Sequence, residues 1–146
     1  MRIRSATTAD AKGLAELWRV SGLRFREEDV EPDLALVLHA NPELVLVMED
    51  DDRLIASLYG TSDGRRGWMS RLATDPAFRG RGIARRLIRE FERRLLAQGC
   101  RKVNLLIEVY NPSLENYYAA LGYKRDDFIF MERWLDLDDH ADGKPA

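Results

Sequence analysis

Cysteine, histidine and proline are scarce in this sequence, with one, two and five of them among 146 residues. A single thiol, Cys100, can form neither an internal disulfide nor a cysteine-based metal site. His39 and His140 lie far apart and make no convincing base or metal pair, so no metal is expected. No apolar run approaches the roughly 20 residues that a membrane-spanning helix needs. Met1-Arg2-Ile3-Arg4-Ser5 lacks the apolar stretch of a secretory signal. The formal net charge of −2 gives no overall electrostatic case for nucleic acid or for an acidic membrane surface. These absences leave one expectation, a small cytoplasmic protein with neither nucleic acid nor membrane as partner.

Against them stand 45% hydrophobic residues, enough for a real core, and a chain length that suits one domain. Arg2 to Ala6 reads as a short strand. A helical pattern follows in which Ala11, Leu14, Leu17 and Trp18 share a face. Thr7 with Asp10 three residues on resembles a capping box, and Gly22 is a stop. Phe25 to Asp33 is polar and acidic, and Pro32 is expected in the first turn of a second short helix carrying Leu34, Val37 and Leu38.

Leu44 to Met48 is a continuous apolar run and reads as a buried strand. Asp50-Asp51-Asp52 turns it into a partner over Arg53 to Tyr59. Asp63-Gly64 turns again into a strand over Gly67 to Thr74. Ile83 to Gln98 carries an apolar stripe of Ile83, Leu87, Ile88, Phe91, Leu95 and Leu96, with arginines mainly on the other side and Gly99 beyond the end. A strand over Lys102 to Val109, a helix capped by Ser113 and ended by Gly122, and a last strand over Phe128 to Leu135 complete the pattern. Helices interleaved with strands after an antiparallel meander imply an α/β fold with a mixed sheet and helices on its faces. Residues 1–135 form the expected domain and 136–146 an acidic tail.

The most informative stretch runs from Leu72 to Ala84, a strand, a Pro-bearing loop and a Gly-rich turn that feeds directly into a helix. Small residues at Gly80, Gly82 and Ala84 let the main chain curl and approach a ligand. The first amides of the helix, from Ile83 onward, lack partners within it and sit at the positive end of its dipole. That combination suits a phosphate or pyrophosphate, with Arg79 and Arg81 adding charge at the mouth. A Walker loop is excluded because no Gly-Lys-Ser/Thr follows. The dinucleotide pattern begun at Gly80 fails because Arg85 stands where a small residue is required.

Arg79-x-x-Gly82-x-Ala84 resembles the Q/R-x-x-G-x-G/A signature of GNAT acetyltransferases. A second segment, Asn111 to Tyr123, is similar to that family's N-x-x-A-x-x-L-Y-x-x-x-G-F element. Asn111, Tyr118, Gly122 and Tyr123 fall on its Asn, Tyr, Gly and aromatic positions, while Leu114 and Tyr117 depart from the usual Ala and Leu. Asp63-Gly64-Arg65-Arg66-Gly67, the early Leu17-Trp18 and the closing strand resemble a YpeA-like branch of small stand-alone bacterial members. The resemblance implies a GNAT fold, with a mostly antiparallel sheet and a splayed parallel pair that opens an acetyl-CoA cleft. It implies acetyl-CoA as cosubstrate, held by main-chain groups of Leu72, Ala73 and Thr74, by the turn Arg79-Gly80-Arg81-Gly82-Ile83-Ala84 with Arg85 beside it, and by Asn111.

Acetyl transfer requires a neutral amine, hydrogen-bond donors for the thioester oxygen, a proton for the departing thiolate, and close positioning. The resemblance places Tyr118 beside the sulfur as general acid, and a phenol of pKa about 10 is protonated at neutral pH. Glu108, at the end of the strand before Asn111, is the candidate base, acting directly or through water; its structural alternative is an exposed strand residue. The acceptor is a small-molecule or peptide amine of open identity, with protein N-termini, lysine, polyamines, amino acids and antibiotic amines all eligible. An acetyl-CoA-binding sensor or partner-binding module without turnover is the alternative, and a homodimer is common in the superfamily.

Overall fold

Leu44-Val45-Leu46-Val47-Met48 offers no polar position at which an alternating strand can turn one face to water, and all five residues are buried. In the computed structural model, which describes residues 1–107 and 111–136, most of this run lies in β2 (Val45–Asp50) at the heart of a five-stranded sheet. β1 (Arg2–Ser5), β2, β3 (Arg53–Ser62) and β4 (Gly67–Thr74) pair antiparallel in sequence order. β5 (Val103–Leu105) joins β4 in parallel. The β2–β3 turn is built on Asp51 and Asp52, both with positive φ (48° and 63°). In the β3–β4 turn the Asp63 carboxylate accepts from the amides of Arg65 and Arg66 at 2.8 and 2.7 Å.

The chain forms two compact units, Met1–Leu106 and Ile107 onward. In the first, α1 (Ala11–Ser21) and α2 (Glu27–Ala40) cover one face of the sheet. Leu14, Leu17, Trp18, Val30 and Leu34 pack there against Val45, Val47, Tyr59 and Ala73. α3 (Ile83–Ala97) covers the other face, where two glycines let it approach. A Cβ on Gly60 would lie 2.2 Å from Phe91 Cε1 and 2.5 Å from the Leu44 carbonyl oxygen, and one on Gly67 would meet Leu95 Cδ1 at 2.4 Å. On the outward side of α3 Arg89 pairs with Glu92 and Arg93 with Glu90, while the more covered Arg94 pairs with Glu90 and also donates to Ser5 Oγ and the Glu43 carbonyl. This is a solvated face stabilised at helical spacing.

α2 departs from the sequence expectation. It begins at Glu27, not near Pro32, so Pro32 lies inside the helix rather than in its first turn. Glu27, Glu28 and Asp29 fill that turn instead, where acids complement the helix dipole. The early start turns an expected acidic loop into a helix face on which Asp29 and Asp33 are one turn apart.

The second unit contains α4 (Pro112–Ala120). Ser113 was expected to cap it; Asn111 does so, its Oδ1 accepting from the Leu114 amide at 3.2 Å and from Ser113 Oγ at 2.9 Å. The final strand expected over Phe128 to Leu135 is absent, and these residues carry no strand pairing. Phe128 and Ile129 are 83% and 88% exposed, so β-propensity there is not realised as a strand. The strand expected over Lys102 to Val109 is shorter, ending at Leu105 among the described residues.

Gly60→Ala forces a methyl against a main-chain carbonyl as well as against a ring, so it should lose about 1–3 kcal/mol or more in urea denaturation. At the sheet's edge Asp10 accepts from both terminal nitrogens of Arg4 at 2.9 Å and from the Thr7 amide at 2.8 Å. Arg4 foremost, aided by that amide, holds the Asp10 carboxyl below its usual range. A lowered folded pKa stabilises the protein above the unfolded pKa, and that stability is lost as pH falls through the folded one. Melting temperature should therefore fall below about pH 4 more steeply in the wild type than in Asp10→Asn.

Candidate active site

β4 pairs with β5 only over Gly67–Met69. From Ser70 to Thr74 its β5-side edge has no strand partner among the described residues, while its other edge stays paired to β3 through Ala73 and Thr74. The main-chain groups of Leu72, Ala73 and Thr74 thus lie along an edge without a strand partner among the described residues, beyond the end of the parallel pair.

A bulge sets the direction of this open segment. Ser57 pairs with Ala73 but Tyr59 with Ser70, so β4 carries one residue more than β3 across the interval. The extra residue is absorbed at Arg71, whose φ is +52°. The bulged carbonyl is not left without a partner. Ser57 Oγ donates to Arg71 O at 2.8 Å and accepts from Trp18 Nε1 at 2.9 Å, within a fully buried environment. A deep hydrogen-bond chain from α1 through β3 thereby holds the strand at the position where it leaves its neighbour.

Beyond Thr74, Asp75 accepts from the Ala77 amide at 2.9 Å and pairs with Arg53, which fixes the short 3-10 turn Pro76–Phe78. Arg81 and Arg53 lie over the Phe78 ring at 5.0 and 5.8 Å. Gly80 and Gly82 both have left-handed φ, 79° and 73°, and Gly82 is the residue from which α3 starts. The Arg86 amide closes the first helical bond to Gly82 O at 3.1 Å. The amides of Ile83, Ala84 and Arg85 precede it, in the turn where an α-helix supplies no internal acceptor. An anion at this turn would meet a helix dipole and three donors. Arg85 is exposed beside it. Arg79 plays a second part: its Nη2 donates to Ser21 O at 3.0 Å and its Nε to Thr74 O at 3.3 Å, fastening the turn to the end of α1.

In the second unit, Asn111 caps α4 and Tyr118 lies on it, 7% exposed. The Tyr118 ring meets those of Tyr117 and Tyr123 edge-on at 5.4 and 5.7 Å. Burial first, and the neighbouring Tyr117 second, push the Tyr118 phenol up to about 12. Glu108 and Tyr110 lie outside the described residues. The structure thus gathers Leu72 to Arg85 along one continuous path in the first unit, and Asn111 with Tyr118 on one helix in the second. No group of acidic, histidine or cysteine side chains suited to a metal occurs among the described residues, nor is any helix among them long and apolar enough to cross a membrane. Arg71 escaped the sequence reading, since nothing in Ser70-Arg71-Leu72 marks a bulge.

A parallel strand pair beside a Gly-rich helix start gives an α/β frame suited to an anionic ligand, and comparison with known proteins identifies the family. Residues 12–123 match the Acetyltransferase (GNAT) family. An acetyltransferase of Yersinia enterocolitica is 35% identical over 138 residues, covering 94% of this chain and 98% of the relative. An aminoglycoside 6'-N-acetyltransferase from Acinetobacter haemolyticus shares the fold at a TM-score of 0.77 and 21% identity, over 93% of this chain and 100% of that one. The aminoglycoside N-acetyltransferase AAC(6')-Iy in complex with CoA does so at 0.73 and 19%, over 92% and 94%. The chain belongs to the GNAT acetyltransferase family and is an enzyme of the acyltransferase class.

Gly82→Ala places a side chain in the left-handed region with open space around it, so strain alone should cost about 1–2 kcal/mol. Hydrogen exchange should accelerate selectively at the amides of Ile83 to Arg86, with the β2 amides unchanged.

Proposed function

We propose that the protein transfers an acetyl group from acetyl-CoA to a primary amine by direct attack within a ternary complex. The observation that carries this reading is the edge of Leu72–Thr74, without a strand partner among the described residues, leading through the Pro76–Phe78 turn to Gly80–Gly82 and the start of α3. A strand edge suits the amides of a pantetheine arm, and the helix start suits a pyrophosphate. The CoA complex of a structural neighbour supports the choice of ligand.

In this reading Leu72, Ala73 and Thr74 bind the pantetheine arm. The turn Arg79 to Ala84 and Arg85 receive the phosphates, and Asn111 orders the approach to α4. The acceptor nitrogen, once neutral, attacks the thioester carbonyl carbon; a C–N bond forms and the C–S bond breaks. Tyr118 donates its phenolic proton to the departing thiolate, and the proton lost by the amine passes to Glu108 or to water. A phenol raised to about 12 is a firmly protonated donor at neutral pH.

Free CoA release measured against a panel of amines and N-terminal peptides tests the assignment. Tyr118→Phe should lower kcat by about 10²-fold or more while acetyl-CoA binding persists. Because the raised pKa keeps Tyr118 protonated, the wild-type rate should rise with pH as the amine deprotonates and show no fall near the ordinary phenol pKa of about 10. Acetyl-CoA binding with no turnover on any amine would replace the transferase by a sensor module; no acetyl-CoA binding would remove the reading altogether.

A further inference from the structure

Arg53 is the first residue of β3, directly after the Asp51–Asp52 turn, and its side chain reaches across to the connection that follows β4. Two contacts hold it there. Its Nη2 pairs with the Asp75 carboxylate, and its guanidinium carbon lies 5.8 Å from the centre of the Phe78 ring. Asp75 is buried and caps the 3-10 turn that carries Phe78, and its own amide donates to the Ile55 carbonyl at 2.8 Å. The Ala77 amide first, and Arg53 after it, keep the Asp75 carboxyl below its usual range against the effect of burial, so the pair stays ionised at neutral pH.

Arg81 lies over the same ring at 5.0 Å. Two guanidinium groups can share one ring because Asp75 neutralises one of them. Unlike Arg53, Arg81 makes no ion pair among the described residues. The other arginine of the turn is engaged elsewhere, since Arg79 directs its Nη2 to the Ser21 carbonyl and its Nε to the Thr74 carbonyl. Arg81 is therefore the arginine at the mouth of the glycine turn whose N–H donors stay unclaimed among the described residues. A guanidinium resting on an aromatic ring is held in place while its donors remain available to an anion. Without the ring, the exposed Arg81 side chain would spread over many rotamers.

We propose that Arg53 is a positioning residue for the pyrophosphate of the cosubstrate, acting through Phe78. The ring, fixed by the Arg53–Asp75 pair, holds the Arg81 guanidinium at the mouth of the glycine turn, where it supplies the side-chain cation that Arg79 does not. The inference deepens the acetyl-CoA reading above and rests on it. Main-chain amides of the helix start bind an anion without regard to side chains, so Arg81 adds charge-assisted donors to a cradle that exists already. A determinant of cosubstrate affinity then sits on the β2–β3 hairpin, outside the Arg79 to Ala84 turn, and the half-buried Phe78 carries its effect.

Equilibrium binding of CoA and of dephospho-CoA, which lacks the 3′-phosphate and keeps the pyrophosphate, tests the proposal on the full chain. Arg81→Gln should weaken both ligands about tenfold. Arg53→Gln, and Phe78→Leu with the Arg53–Asp75 pair intact, should each weaken both about threefold. In an Arg81→Gln background neither change should weaken binding further, a coupling that a purely structural role would not produce. Arg93→Gln removes an equal charge from the outer face of α3 and should leave binding unchanged. Undiminished binding in Arg53→Gln and Phe78→Leu, losses that persist in the Arg81→Gln background, or a loss seen with CoA but not with dephospho-CoA would overturn it. Turnover assays on the same samples separate the two claims. Coupled losses of CoA binding without turnover on any amine remove the transferase and support the positioning role; turnover with CoA binding indifferent to Arg53 overturns the positioning role alone.

Discussion

The Arg71 bulge depends on a buried hydroxyl. Ser57 Oγ gives its proton to the bulged carbonyl and takes one from the Trp18 indole, so one small side chain satisfies two polar groups that the core would otherwise strand. From that fixed point follow the direction of Leu72–Thr74 and the placement of Arg71 over Trp18. A hydrophobic residue at Ser57 would fill the space and leave both the indole N–H and the carbonyl unanswered, which is the expensive way to lose a hydrogen bond. The edge of Leu72–Thr74 is thus positioned by a polar contact in the middle of an apolar core.

Two glycines do for α3 what Ser57 does for β4. Gly60 and Gly67 remove side chains that would collide with Phe91 and Leu95, letting the helix sit close enough for its first turn to follow β4 after a short connection. Packing on this face therefore sets the distance between the strand edge and the helix start. Core packing and the spacing of strand edge and helix start are set by the same contacts.

Much of this was readable beforehand because the signals were local. The apolar run at Leu44 to Met48, the stripe of α3 and the paired glycines at 80 and 82 each dictate their own structure, and the motif around Tyr118 correctly placed a helix there. Where local and tertiary signals diverged, the sequence misled. Pro32 looked like a helix start, but three acids upstream nucleated the first turn earlier, and the proline was accommodated inside. Phe128 to Met131 has strand-forming residues that form no strand. The Arg71 bulge was invisible because arginine has no preference for positive φ; only the register between β3 and β4 demands it. The Asp29/Asp33 pair was hidden for a related reason, since their shared face exists only once the helix is known to begin at Glu27.

The double hydrogen bond of Arg79 ties Ser21 O, at the last turn of α1, to Thr74 O, at the end of β4. A carbonyl at a helix C-terminus and one at a strand end are both prone to fraying when they face water. Joined through one rigid guanidinium fork, they lose that independence. Opening of the α1 terminus and loosening of the strand before the glycine turn become a single cooperative event, so protection at one should report on the integrity of the other. A lysine, with a point charge in place of a fork, would leave the two ends to fluctuate separately.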